Sequence, residues 1–164
     1  MAQPINPYVA GVPAQGGKGF FGRQDVLEWV SRNLRNPAAN SLVLFGQRRI
    51  GKTSLLLQLE RLLGNDFFLP VYFDLHDQAT RPLGAVLADM AEAVAERIGL
   101  EPPSAEVFDD RGLFFSRTFL PQVCTYLGAE RRLVFLLDEF DVPDATQEAE
   151  LPPTAAGQSL YRLI

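Results

Sequence analysis

The chain has one cysteine, Cys124, one histidine, His76, and two lysines, Lys18 and Lys52. A single thiol excludes an internal disulfide, and one histidine leaves no Cys/His set at metal-ligand spacing. No apolar run approaches the ~18 residues of a membrane-spanning helix; the longest, around Leu42 and Leu133, are strand-sized. The opening MAQPINPYVAGVP lacks the charged start and long apolar stretch of a secretory signal. Positive charge is also in deficit: the net charge is −5, so no broad basic face for nucleic acid is expected. Together these absences give no indication of a membrane or nucleic-acid partner and make the cytoplasm the expected compartment.

What is present is ordinary globular material. The 164 residues are 47% hydrophobic and 21% charged, enough for one domain with a real core. Residues 1–19 are rich in Gly and Pro and read as an extended lead-in. In GRQDVLEWVSRNLRN, the apolar positions Val26, Leu27, Trp29, Val30 and Leu34 predict one helical stripe, stopped by Asn36-Pro37. SLVLF reads as a short buried strand, and a helix follows from Lys52 to Gly64. FFLPVYFDLH is a second strand, placed at a sheet edge because Pro70 has no N–H to give a ladder.

Thr80 is expected to cap a helix with Pro82 in its first turn, running through LGAVLADMAEAVAERIGL to Gly99. EPPSAEVFDDRG reads as a loop, and LFFSRTFLPQVCTYLG as a helical stretch that Pro121 kinks or restarts. RLVFLL is a third strand, expected to be buried on both faces, and VPDATQEAELPPTAAGQ a polar loop. This alternation of strands and helices predicts an α/β fold with a mainly parallel sheet.

The chemistry concentrates at two places. Gly46-Gln47-Arg48-Arg49-Ile50-Gly51-Lys52-Thr53 fits the phosphate-loop pattern G-x-x-x-x-G-K-[ST] without a mismatch. Its glycines let successive backbone N–H groups turn inward on phosphate oxygens, and the following helix adds its N-terminal dipole. Lys52 reaches the β- and γ-phosphates, Thr53 ligates Mg²⁺, and Ser54 closes the binding segment. Arg48 and Arg49 belong to the loop by their backbone, with side chains expected to face solvent or a neighbouring domain. The third strand runs into Asp138-Glu139-Phe140-Asp141. Asp138 at its tip can hold Mg²⁺ directly or through water, and Glu139 is the natural base to orient an attacking water. Asp141 and His76 read as surface groups, and Cys124 as a core residue.

The motifs FFGRQDVLEWV, FGQRRIGKTSLL and LVFLLDEFD together resemble the AAA+/STAND branch of P-loop ATPases, over roughly residues 6–141. The resemblance implies a three-layer αβα fold of the ASCE type over residues 20–164. It implies a segment bearing Phe21, Gly22 and Arg23 that lies near the adenine or senses the nucleotide. It also implies that a later sensor strand lies between the strand before the phosphate loop and the acidic strand. No sensor strand, fifth strand or lid can be counted here. The chain is therefore expected to be an N-terminal part of a longer ATPase, truncated after the acidic strand. The other possibility is a rearranged sheet in which the first and third strands pair.

The function implied is an ATP- and Mg²⁺-binding, ATP-hydrolysing core acting as a nucleotide-dependent switch. Its partners would be ATP/ADP, other domains of a longer chain and further copies in nucleotide-dependent assembly. A nucleotide-gated binding module with negligible turnover and an AAA+ ATPase of DNA transactions are the alternatives. A GTPase is disfavoured by the lack of an Asn/Thr-Lys-x-Asp motif.

Overall fold

In the computed structural model, residues 23–36, 41–47, 49–64, 67–78 and 80–139 are described. The chain divides into two compact units, Met1–Leu63 and Gly64–Ile164.

The first unit contributes helices α1, Gln24–Leu34, and α2, Lys52–Leu63. α1 buries Leu27 and Val30, but Trp29 is 49% exposed, against the expected stripe. At about 100° per residue, Trp29 points some 200° around the axis from Leu27 and so cannot share its face. On α2, Leu55, Leu59 and Leu63 recur every fourth residue and form a buried row. Between the helices, residues 41–47 carry no strand, where SLVLF predicted one. Val43 and Phe45 are exposed, and among the described residues this apolar run has no ladder partner of the kind a strand requires.

The second unit is mixed helix and strand. Strands β1, Phe68–Asp74, and β2, Arg132–Asp138, pair in parallel with Asp74 opposite Asp138, forming a two-stranded sheet. Parallel neighbours need a long crossover, which here carries helix α3, Leu83–Ile98, and helix α4, Leu120–Leu127.

The ladder explains Pro70. Leu75 N–H donates to the Asp138 carbonyl, and Arg132 N–H donates to the Phe67 carbonyl. Alternation along β1 therefore turns the odd residues toward β2. Pro70, being even, faces the outer edge, where its missing N–H costs no ladder bond.

One face of the sheet packs on α3. Leu69 and Val71 join Leu83, Val86, Leu87, Met90, Ala91 and Val94 in the core, with Phe108, Phe115, Phe119 and Val123 closing it from the α4 side. β2 is mostly half-buried, with only Leu136 and Asp138 fully buried, rather than buried throughout as expected. β1 borders it on one side, and the sheet has no further strand among the described residues.

Helix ends follow local chemistry, with one correction. α3 begins at Leu83 with Pro82 as its N-cap residue, not at Thr80. Asp110 Oδ1 accepts the Gly84 N–H at 2.8 Å and satisfies a donor of that first turn. Gly99 ends α3 in the left-handed conformation, φ 70°. The loop at Ala105–Val107 contains a 3₁₀ turn. Asp109 then accepts backbone N–H bonds from Arg111, Leu113 and Phe114, starting the next helical stretch. Pro121 falls in the first turn of α4, directly after a π-helical turn at Phe115–Phe119. That wider turn, in which Leu120 N–H bonds to the Phe115 carbonyl, lets the chain restart ahead of a residue with no N–H. Cys124 is exposed and not in the core, because this face of α4 looks outward. Among the described residues no helix is long and apolar enough to cross a membrane.

Candidate functional site

The phosphate-loop sequence lies wholly in the first unit. Gly46, Gln47, Arg49 and Ile50 are exposed, while Gly51, Lys52, Thr53 and Ser54 are half-buried. The loop turns tightly: Ile50 N–H donates to the Gln47 carbonyl at 3.3 Å, Arg49 takes φ 63° and Gly51 φ 89°. A side chain at Gly51 would be strained by that φ, which is why glycine belongs there. Gly46 is different, since among the described residues a Cβ there would meet the Ile50 side chain, its Cγ2 methyl at 3.0 Å, and no backbone.

α2 starts at Lys52 with Leu55 N–H bonded to the Gly51 carbonyl, and its first turn contains no acidic residue. The partial positive charge of its N-terminus is therefore not offset locally. Lys52 folds back so that Nζ donates to the Gly46 carbonyl at 3.0 Å and the Gln47 carbonyl at 3.5 Å. No ion pair among the described residues involves Lys52. An uncompensated ammonium held over glycine-framed backbone suits an anion, which would offer it stronger charge-assisted acceptors than two carbonyls.

Arg23 reaches the same loop. It adopts a left-handed backbone, φ 62°, as the N-cap residue of α1, and its Nη2 donates to the Ile50 carbonyl. Its guanidinium also lies 4.0 Å from the Cβ position of Gly51. Phe21, Gly22, Arg48 and Asp141 lie outside the described residues.

The acidic residues lie in the second unit, at the C-terminal end of the parallel strands. That end is where α/β sheets place their ligands. Asp138 is 5% exposed and each of its oxygens is engaged. Tyr72 O–H donates to Oδ2 at 3.0 Å, and Glu139 N–H donates to Oδ1 at 3.0 Å. Burial first, and then the Asp138 carboxylate, push the Tyr72 hydroxyl well above the ordinary phenol range, so it remains a neutral donor. Glu139 is exposed and takes a left-handed backbone, φ 52°, as the chain leaves the strand. Beside it, Asp74 ends β1 and accepts the His76 N–H at 2.9 Å, closing a tight turn.

The chain is 32% identical, over 144 residues, to NACHT domain- and WD repeat-containing protein 1 from Homo sapiens. That similarity takes in 82% of this chain and 9% of the human protein. The chain is thus similar, distantly and in part, to a NACHT-domain protein. No protein-family model matches the chain, and no solved structure matches it.

Within the first unit the structure brings together Gly46, Gln47, Arg49, Ile50, Gly51, Lys52 and Arg23. Within the second it brings Asp138 and Glu139 together. Sequence reading missed Tyr72 and Asp74 beside them. The available signal was VYFD, a second strand ending in an acid as LLDE does, with a hydroxyl two residues before it.

Proposed function

We propose that this chain is the nucleotide-binding core of a STAND-type P-loop ATPase, binding ATP with Mg²⁺ and switching between nucleotide states. The observation that carries the reading is the Gly46–Thr53 loop: a left-handed Gly51 leads into α2, and the Lys52 ammonium, in no ion pair among the described residues, folds over the loop. The similarity to a NACHT-domain protein supports it, and so does a buried aspartate at the tip of a parallel strand.

On this reading the loop N–H groups and Lys52 bind the triphosphate. Thr53 in the first unit and Asp138 in the second are each proposed, by residue type and local setting, as residues that would hold Mg²⁺, which would supply neutralisation of phosphate charge. Glu139 accepts the proton of the attacking water. Arg23 fixes the Ile50 carbonyl and so stiffens the loop from the adenine side. Arg49, exposed on a left-handed backbone, and Arg48, by its place in the sequence, are assigned no part in phosphate binding. A switch needs different affinities in its two states; a 100-fold preference biases the equilibrium by about 2.7 kcal/mol. The three-layer αβα fold, coupling to other domains, nucleotide-dependent assembly and a cytoplasmic setting belong to this proposal as well.

The test is equilibrium binding of a fluorescent ATP analogue to the chain with Mg²⁺ present. Lys52→Ala is expected to weaken binding by about 10- to 100-fold, the loss of a charge-assisted contact. Glu139→Gln is expected to bind the analogue normally while ATP hydrolysis falls. Unchanged affinity in Lys52→Ala would remove the pocket, and equal turnover in Glu139→Gln would remove the base.

A further inference from the structure

We propose that Tyr72, on β1, is a positioning residue for Asp138: its hydroxyl fixes the carboxylate in the orientation used to hold Mg²⁺. The inference rests on the proposed reading of Asp138 as a magnesium-site acid.

Among the described residues two hydrogen bonds reach the Asp138 carboxylate and a third reaches its backbone carbonyl, and two of the three come from β1 and the residue after it. Tyr72 O–H occupies Oδ2, Leu75 N–H occupies the backbone carbonyl at 3.1 Å, and Glu139 N–H occupies Oδ1. A carboxylate 5% exposed needs such donors, since an ion without them is costly to bury. Each oxygen that accepts one bond still has a lone pair left, so the clamp orients the group without using it up.

The donors differ in kind. The two N–H groups belong to the backbone and are present whatever the side chains are. Among the described residues Tyr72 is the one side-chain donor to the carboxylate, and it arrives across the strand pair from 66 positions earlier in the sequence. Residues that hydrogen-bond a metal-ligating group from outside commonly tune metal affinity by ten- to a hundredfold when removed. A tyrosine placed only for packing would have no such effect, because phenylalanine keeps the ring.

The experiment titrates Mg²⁺ against the chain holding a fluorescent non-hydrolysable ATP analogue, and repeats the binding in EDTA. Tyr72→Phe is expected to raise the half-saturating Mg²⁺ concentration by about tenfold while leaving analogue affinity in EDTA unchanged. In an Asp138→Ala background the same substitution is expected to change the Mg²⁺ midpoint by less than about twofold, because its target is gone. Far-UV circular dichroism and urea midpoints of all four chains check that folding is retained.

A Tyr72→Phe midpoint equal to wild type, with Asp138→Ala clearly shifted, overturns the positioning role and leaves the magnesium reading intact. Equal weakening by Tyr72→Phe with and without Mg²⁺ overturns it too, by showing a general packing effect. An unshifted Asp138→Ala overturns the magnesium reading itself, and the inference with it.

Discussion

Gly84, the second residue of α3, makes the sharpest stability test of the second unit. A Cβ added there would lie 2.5 Å from the Phe108 carbonyl oxygen, 3.1 Å from its carbon and 3.3 Å from the carbonyl carbon of Asp109. These are backbone atoms, so no side-chain rotation relieves the contact. Either α3 or the 108–110 segment must move. Overpacking of this kind costs about 1–3 kcal/mol. Movement also stretches the bond from Gly84 N–H to Asp110 Oδ1, worth about 1.5–3 kcal/mol with a charged acceptor. Alanine returns about 1 kcal/mol through its better helix propensity. Gly84→Ala should therefore destabilise by about 2–4 kcal/mol, a large share of the ~5–15 kcal/mol a domain has. In urea denaturation followed by circular dichroism, that is a midpoint drop of about 1–2 M. A variant as stable as wild type would refute the close approach of the 108–110 segment to α3.

Two further outcomes follow from the same geometry. Asp109 has its carboxyl held below the usual range, chiefly by the Phe114 N–H and then by those of Leu113 and Arg111. A depressed folded value means a contribution present above the unfolded carboxylate value, about 3.9, and lost as pH falls through the lower folded one. Asp109→Asn should flatten the loss of urea stability below about pH 4; an unchanged slope would contradict this. Gly51→Ala places a Cβ on a backbone at φ 89°, a strain of about 1–2 kcal/mol. ATP-analogue binding should weaken about tenfold, and undiminished binding would mean the loop does not bind in this conformation.

Much of the helical structure was legible because its signals are local. The four-residue spacing of Leu55, Leu59 and Leu63 and the αL cap at Gly99 are written within one or two turns of chain. Pro121 marked a restart, which takes the form of a π turn. Errors arose where the deciding partner is distant in sequence. Thr80 has the chemistry of a cap, yet α3 starts after Pro82, where Asp110 supplies the acceptor for the first turn from 26 residues away. SLVLF has strand composition, but composition provides no ladder partner. The acidic pair was legible as residue types in a motif. Tyr72 was not, because its meeting with Asp138 depends on a strand register that no local pattern specifies.

That register carries functional weight on the reading proposed here. Asp74 stands opposite Asp138, and Tyr72, two residues earlier, points to the same face of the sheet. A one-residue slip of β1 would turn Tyr72 to the other face and bring Phe73 into its place. The slip would also put Pro70 among the residues facing β2, where its missing N–H would remove a ladder bond. Leu69, Val71 and Phe73 would at the same time leave the face packed on α3, giving up the core they form. The proline, the packing of Leu69 and Val71 on the α3 face and the tyrosine thus all select the same pairing. The elements that build the core of the second unit are also those that orient its buried aspartate, so core substitutions in β1 should disturb Asp138 before they unfold the chain.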